Sequence, residues 1–239
     1  MLSVKDLTKI YDQTKAVDHL SLNIDSGEIY GFIGHNGAGK TTTIKSIAGI
    51  LPYDEGEILI DGLSLKDNAL ECKKRLAYIP DNPDLYEYLT GIQYLNFIGD
   101  VYQVLPKERE ERIHYYADAF ELTQDLAQPI SAYSHGMKQK LALISAFIHQ
   151  PKLIIMDEPF VGLDPKASHL LKQMMKDHCQ KGGSIFFSTH VLEVAEKLCD
   201  RIAIIKKGKL IVSGDTEEII GDESLEDVFL ELEDGDHHD

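Results

Sequence analysis

The chain has 239 residues, room for one large domain or two small ones at about 100–200 residues per domain. Its hydrophobic share of 43% and charged share of 27% are those of a chain that builds a packed core, which excludes disordered and collagen-like proteins. The formal net charge is −16, but residues 222–239 carry nine acids and no Lys or Arg, so without them the balance is −7. No basic footprint of a nucleic-acid binder is present, and an acidic surface does not bind anionic lipid unaided. No apolar run approaches ~18 residues, so no membrane-spanning helix is expected. The opening MLSVKDLTKIYDQ lacks a basic-then-apolar layout, so no secretory signal is expected either. Cys72, Cys179 and Cys199 are odd in number and far apart, and read as reduced thiols rather than a disulfide frame or a zinc site.

In chain order, strands are predicted at 2–7, 20–24 and 29–33, where β-branched and apolar residues are bounded by Gly, Asp and Pro. The third is continuously apolar, as a strand buried on both faces must be. A helix follows at 42–48, closed by Gly49, and then strands at 56–60 and 77–79. From 89 to 150 no strand is predicted. Ile113, Tyr116, Ala117 and Phe120 follow helical spacing there, as do Leu141, Ile144 and Ile148. Strands resume at 153–156, 184–188, 202–205 and 210–213, so a helical block interrupts an α/β core. In the acidic end, Ser224-x-x-Asp227 predicts a capped short helix with Leu225, Val228, Phe229 and Leu232 on one face. His237 and His238, with their acidic neighbours, read as a solvated terminus rather than a metal site.

Between the strand at 29–33 and its helix stands Gly34-His35-Asn36-Gly37-Ala38-Gly39-Lys40-Thr41, which fits G-x-x-x-x-G-K-[ST], followed by Thr42. The glycines let backbone N–H groups close around phosphate oxygens, and the helix that starts there aims its positive end at the same anion. Lys40 supplies a cation for the β- and γ-phosphates, and the Thr41 hydroxyl is a hard oxygen ligand suited to Mg²⁺. The strand at 153–156 ends in Asp157-Glu158. In a parallel sheet the C-terminal ends of strands gather at the ligand, which places Asp157 near the loop as a metal ligand. Glu158, one residue on, is positioned to polarise a water for attack on the γ-phosphate.

A third segment, Tyr133-Ser134-His135-Gly136-Met137, resembles the L-S-G-G-Q signature of ABC-type ATPases, with the Ser and the second Gly retained and three letters changed. Ser134 caps the following helix, whose free N–H groups form an anion site, and Gly136 leaves room for a phosphate. The order of motifs is that family's: phosphate loop, signature, carboxylate pair, then Ser188-Thr189-His190. The resemblance covers about residues 1–232. It implies an α/β fold: a P-loop NTPase, RecA-like core with an N-terminal antiparallel β part and an inserted α-helical subdomain. The expected division is 1–88 and 151–221 for the core, 89–150 for the helical subdomain, and 222–239 for an acidic tail with a short helix.

The resemblance also implies roles. Tyr11 stands where the family stacks an aromatic on adenine, and His190 where it sets a histidine against the γ-phosphate. Asp164, in Val161-Gly162-Leu163-Asp164-Pro165, matches the loop that senses a partner subunit, and is equally an N-cap before Pro at N1. Asp81, in Ile79-Pro80-Asp81-Asn82-Pro83, stands where the family carries a Gln on Mg²⁺. It is shorter and charged, and either reaches the metal through water or does not reach it. Residues 84–90 resemble the surface that receives a helix from a membrane subunit. The implied function is that of an ATP-hydrolysing, Mg²⁺-dependent motor on the cytoplasmic face of the membrane. It works as a homodimer or pseudo-dimer in which Ser134 and Gly136 act in trans, and it drives export through separate transmembrane permease subunits, with no nucleic acid. The style of the motifs and the ending Ser224-Leu-Glu-Asp-Val-Phe-Leu-Glu-Leu232 are similar to bacterial exporter ATPases of the ABC-2 and Ecs kinds. A soluble relative acting on ribosomes or DNA, a small-molecule kinase and a non-hydrolysing regulator use the same loop. The single cassette and the absence of long heptads disfavour the first, the segment Ser134–Lys140 the second, and the intact Asp157-Glu158 pair the third.

Overall fold

The computed structural model describes residues 1–234; His237 and His238 lie outside the described residues. The chain opens with a hairpin of β1 (Leu2–Tyr11) and β2 (Thr14–Ile24). β1 also pairs antiparallel with β4 (Glu55–Ile60), and β4 with the two-residue β5 (Leu63–Ser64), giving a four-stranded sheet in the order β2-β1-β4-β5. Both hairpin strands run longer than the sequence predicts. Register shifts between Val4 and Ile10 break the two-residue alternation, so periodicity loses the strand while pairing continues.

The second sheet is built around β3 (Ile29–Ile33). It is flanked by β8 (Ser184–Thr189) and β9 (Arg201–Lys206), with β7 (Leu153–Asp157) and then β6 (Leu76–Ile79) beyond β8. These five strands are parallel, and β10 (Lys209–Asp215) closes the β9 edge antiparallel. Every residue of β3, β7 and β8 is buried. The pleat sends alternate residues to two cores. Ile29, Ile33, Ile154, Met156, Ile185 and Phe187 face the helical side. Tyr30, Phe32, Leu153, Ile155 and Phe186 face the layer under the antiparallel sheet. At roughly 1.5–3 kcal/mol for each large apolar side chain fully buried, these three strands hold the two layers together.

α1 (Lys40–Ile47) follows β3, and α2 (Ala69–Arg75) precedes β6. The helical block comprises α3 (Gly91–Val101), α4 (Pro106–Ala119) and α5 (His135–Ile148). Thr90 and Gln93 cap α3 reciprocally, Pro106 opens α4, and Ser134 caps α5 through a bond from Met137 N at 3.3 Å. Ile113, Ala117 and Phe120 of the predicted stripe are buried, as are Leu141, Ile144 and Ile148. Among the described residues this block holds no strand, only a single bridge between Thr90 and Pro129. α6 (Pro165–Gln180), α7 (Leu192–Leu198) and α8 (Thr216–Ile220) complete the core. The final helix, α9 (Leu225–Asp234), is docked, with Leu225 and Phe229 buried in the main core. No helix among the described residues is long and apolar enough to cross a membrane.

Candidate functional site

Because β3, β6, β7 and β8 run parallel, their C-terminal ends meet on one edge. The loop after β3 carries residues 34–41. Gly34 touches the neighbouring strand so closely that a Cβ there would lie 2.5 Å from the Ile205 carbonyl. Gly39, at φ +107°, is the N-cap of α1 and faces the Ala16 carbonyl, so it needs both the left-handed conformation and the missing side chain. Lys40 folds back over the loop. Its Nζ donates to the carbonyls of Gly34 at 2.5 Å and His35 at 3.2 Å. The residue is 6% exposed, and burial pulls its ammonium below the usual lysine value while Glu158 and Asp157 push the other way.

Opposite stands the end of β7. Asp157 is buried and accepts from Thr41 Oγ1 at 2.7 Å and from Ser188 Oγ. Ser188 is directly opposite Asp157 in the β7–β8 register, and the same hydroxyl accepts from Glu158 N at 3.1 Å. Glu158 itself has φ +48°, a left-handed turn at a non-glycine residue of the kind that marks functional sites. That turn lifts its carboxylate out of the strand between two nitrogens: Lys40 Nζ at 3.8 Å from Oε1, and His190 Nδ1 at 2.9 Å from Oε2. Oε1 is otherwise buried without a hydrogen-bond partner. The Thr41 hydroxyl and the Asp157 carboxylate are adjacent hard oxygens. They fit Mg²⁺, which takes few protein ligands and shares the rest with phosphate and water.

The remaining candidates divide. Asp81 is exposed at the end of β6 and its carboxylate accepts from Asn82 N at 2.8 Å. Tyr78, a residue the sequence reading passed over, has a buried hydroxyl without a partner. Burial, and then the charges of Asp157 and Asp81, push its pKa up. Tyr11, at the hairpin tip, is 46% exposed with Lys9 Nζ 5.4 Å from its ring centre. Asn36 and Gly37 are exposed, and Ala38 is buried with its carbonyl accepting from Gly208 N at 2.8 Å. Thr42 is half-buried in α1.

The signature segment is packed elsewhere. Gly136 abuts the 161–164 loop, where a Cβ would come 2.9 Å from the Gly162 carbonyl. Lys140 pairs with Asp164 at 2.9 Å, and Asp164 also caps α6 by accepting from Ala167 N at 2.8 Å. Those two contacts hold the Asp164 carboxyl below its usual pKa. Gln139, fully buried, donates to the Pro159 carbonyl at 3.4 Å. Ser134 is exposed apart from its cap. Ser188 and Lys140 are thus site neighbours that the sequence reading did not assign. Neither has a signal of its own, because one depends on strand register and the other on where a loop comes to rest.

The family model for the ABC transporter matches residues 17–161. The chain is 35% identical over 237 residues to the ABC-type transporter ATP-binding protein EcsA of Bacillus subtilis, covering 97% of this chain and 96% of that one. Among solved structures, an ATP-binding subunit of an ABC transporter superposes with a TM-score of 0.94 at 37% identity, covering 98% and 99% of the two chains. A dimeric, post-hydrolysis structure of the ATP-binding cassette MJ0796 with ADP and Pi superposes with 0.82 at 25% identity, covering 90% and 99%. The chain belongs to the ABC transporter family, and is one of its ATP-binding, ATP-hydrolysing cassettes.

Proposed function

We propose that this cassette binds two ATP molecules between two copies, or between itself and a similar subunit, and that hydrolysis drives export through separate membrane subunits. One observation carries the catalytic half: Thr41–Asp157 and Lys40–Glu158–His190 meet at the end of one sheet. In this reading residues 34–42 wrap the triphosphate with backbone N–H groups, and Lys40 turns from the loop carbonyls to the β- and γ-phosphates. Thr41 and Asp157 would hold Mg²⁺, which when bound would offset phosphate charge. Glu158 accepts a proton from the attacking water, and neutral His190 donates its one N–H to the γ-phosphate oxygen or orients the water. Tyr11 stacks on adenine, and Asp81 would be an outer carboxylate on the metal side if it reaches the metal at all.

The trans half rests on Ser134, which is exposed at the N-terminus of a 14-residue helix whose first turn packs through Gly136 on Gly162. A helix N-terminus facing outward can complete a γ-phosphate site only in another subunit. The membrane side rests on the exposed aromatics Tyr86 and Tyr88 of the segment expected to receive a helix, with exposed Phe97 of α3 packed against Tyr86. Such attachment would place the cassette on the cytoplasmic face. The test is mass in solution. ATP and Mg²⁺ should double the mass of the slow-turnover Glu158→Gln protein. Adding Ser134→Glu should keep it monomeric while ATP still binds. A protein that stays monomeric when saturated with ATP refutes the sandwich.

A further inference from the structure

The C-terminal helix touches the nucleotide loop, and nothing in the proposed chemistry uses that contact. The Phe229 ring meets the His35 ring edge-on, with centroids 5.0 Å apart and planes at 67°. Phe229 is 6% exposed, so it is a core residue whose one face reaches a loop. Three residues on, the Leu232 carbonyl accepts from Lys206 Nζ at 3.2 Å. Lys206 ends β9, and the turn that follows supplies Gly208 N to the Ala38 carbonyl at 2.8 Å. The helix therefore reaches the loop twice, directly at His35 and through the β9–β10 turn at Ala38. Its own anchorage is firm: Ser224 and Asp227 cap it, Leu225 N donates to Glu196 of α7 at 2.9 Å, and Leu225 is fully buried.

We propose that α9 is a clamp on the phosphate loop, with Phe229 as a positioning residue for nucleotide binding. The physical route runs through the His35 backbone. Its carbonyl accepts both from Ala38 N at 3.1 Å and from Lys40 Nζ at 3.2 Å, so the orientation of residue 35 sets the curl of the loop and the stance of the lysine. A loop that must order itself around phosphate loses affinity to that ordering, and a loop already held does not. Aromatic edge contacts carry enough energy to change a binding constant by roughly three- to tenfold. Linkage makes the effect reciprocal: if α9 favours ATP, ATP must favour docked α9 by the same factor.

This inference rests on the nucleotide-binding reading of residues 34–41, and the experiment separates the two. ATP affinity is measured by titration for the full-length wild type, Phe229→Ala and Phe229→Tyr, with kcat at saturating ATP. Hydrogen exchange of α9 is followed on the wild type with and without ATP. The expected result is about three- to tenfold weaker ATP binding for Phe229→Ala, kcat within about twofold, near-complete rescue by Tyr, and slower α9 exchange when ATP is bound. A folded Phe229→Ala that binds ATP like the wild type overturns the clamp. So does α9 exchange indifferent to nucleotide in the wild type, which decides the matter even if the alanine variant fails to fold. A wild type that binds no ATP overturns the nucleotide reading itself, and the clamp with it.

Discussion

Replacing Glu158 by Gln changes charge and proton affinity at constant shape, and the structure gives reasons to expect little else to move. The backbone at φ +48°, held by Ser188 Oγ on Glu158 N at 3.1 Å, positions the side chain independently of its charge. Loss of the base should cost about 10²–10⁴ in kcat, or roughly 3–5 kcal/mol in the barrier. The electrostatic consequence has the opposite sign for binding. Glu158 Oε1 lies 3.8 Å from Lys40 Nζ, with side chains 15% and 7% exposed. At an effective dielectric constant of about 20 that separation corresponds to a gross attraction of about 4 kcal/mol. Lys40's burial already counts against its charge, so most of this attraction offsets desolvation. A net change of about 1 kcal/mol remains, in favour of a triphosphate that no longer competes with a carboxylate for the lysine, or about fivefold tighter ATP. Phosphate release under saturating ATP and Mg²⁺ reads the first effect, and titration with ATP in a single-turnover regime reads the second. A kcat within tenfold of wild type would remove Glu158 from its role as the base. Weaker ATP binding would refute the charge argument.

The other expectations concern metal, backbone and pH. Asp157→Asn keeps one acceptor oxygen, sets an amide N–H₂ against the other hydroxyl and lacks the anion, so the Mg²⁺ concentration for half-maximal ATPase should rise at least tenfold; an unchanged metal titration places the carboxylate outside the metal site. Gly34→Ala sets a Cβ 2.5 Å from the Ile205 carbonyl, and should lower the urea-derived stability by about 1–3 kcal/mol; wild-type stability would show that β9 gives way freely. His149, stacked on Tyr102 at 3.7 Å, is held by burial at a pKa of about 4 against an ordinary 6.5. Between those values the unfolded chain takes up the proton and the folded chain does not. Stability therefore falls as pH drops through this window, by about 3 kcal/mol from this one group. His149→Phe keeps the stack and cannot titrate, so its stability should change less between pH 6.5 and pH 4 by that amount; parallel curves for the two proteins would refute the assignment.

Much of this molecule is written locally. The phosphate loop is legible because its glycines, lysine and hydroxyl are contiguous and follow an apolar strand. The carboxylate pair is legible because a run of five buried residues ends at Asp157. Helix starts at Ser134 and Asp164 are legible because caps act within three residues, as Met137 N and Ala167 N show. What sequence does not display is register and approach. Ser188 bridges Asp157 and Glu158 only because β7 and β8 pair with Asp157 opposite Ser188. The bulges of β1 hide most of a hairpin. The apolar face of the helix near the end is legible in the spacing of Leu225 and Phe229, but spacing alone does not say against what they bury.

The segment from Asp157 to Asp164 joins the two halves of the proposed engine. At its start, Thr41, Ser188 and the Glu158 N–H are strung on Asp157 and Ser188, so the metal side and the base share one hydrogen-bonded chain. At its end, Gly162 packs against Gly136 and Asp164 pairs with Lys140, so the same segment carries the helix whose capped start presents Ser134. Between them, Pro159 accepts from the buried Gln139 of that helix. Only six residues thus separate the carboxylate that would hold metal from the one that grips the signature helix. A shift at either end has a packed, hydrogen-bonded path to the other. Each cassette would then report the state of its own base through the same loop on which its Ser134 is offered to a partner, which is the coupling that a motor made of two equivalent halves requires.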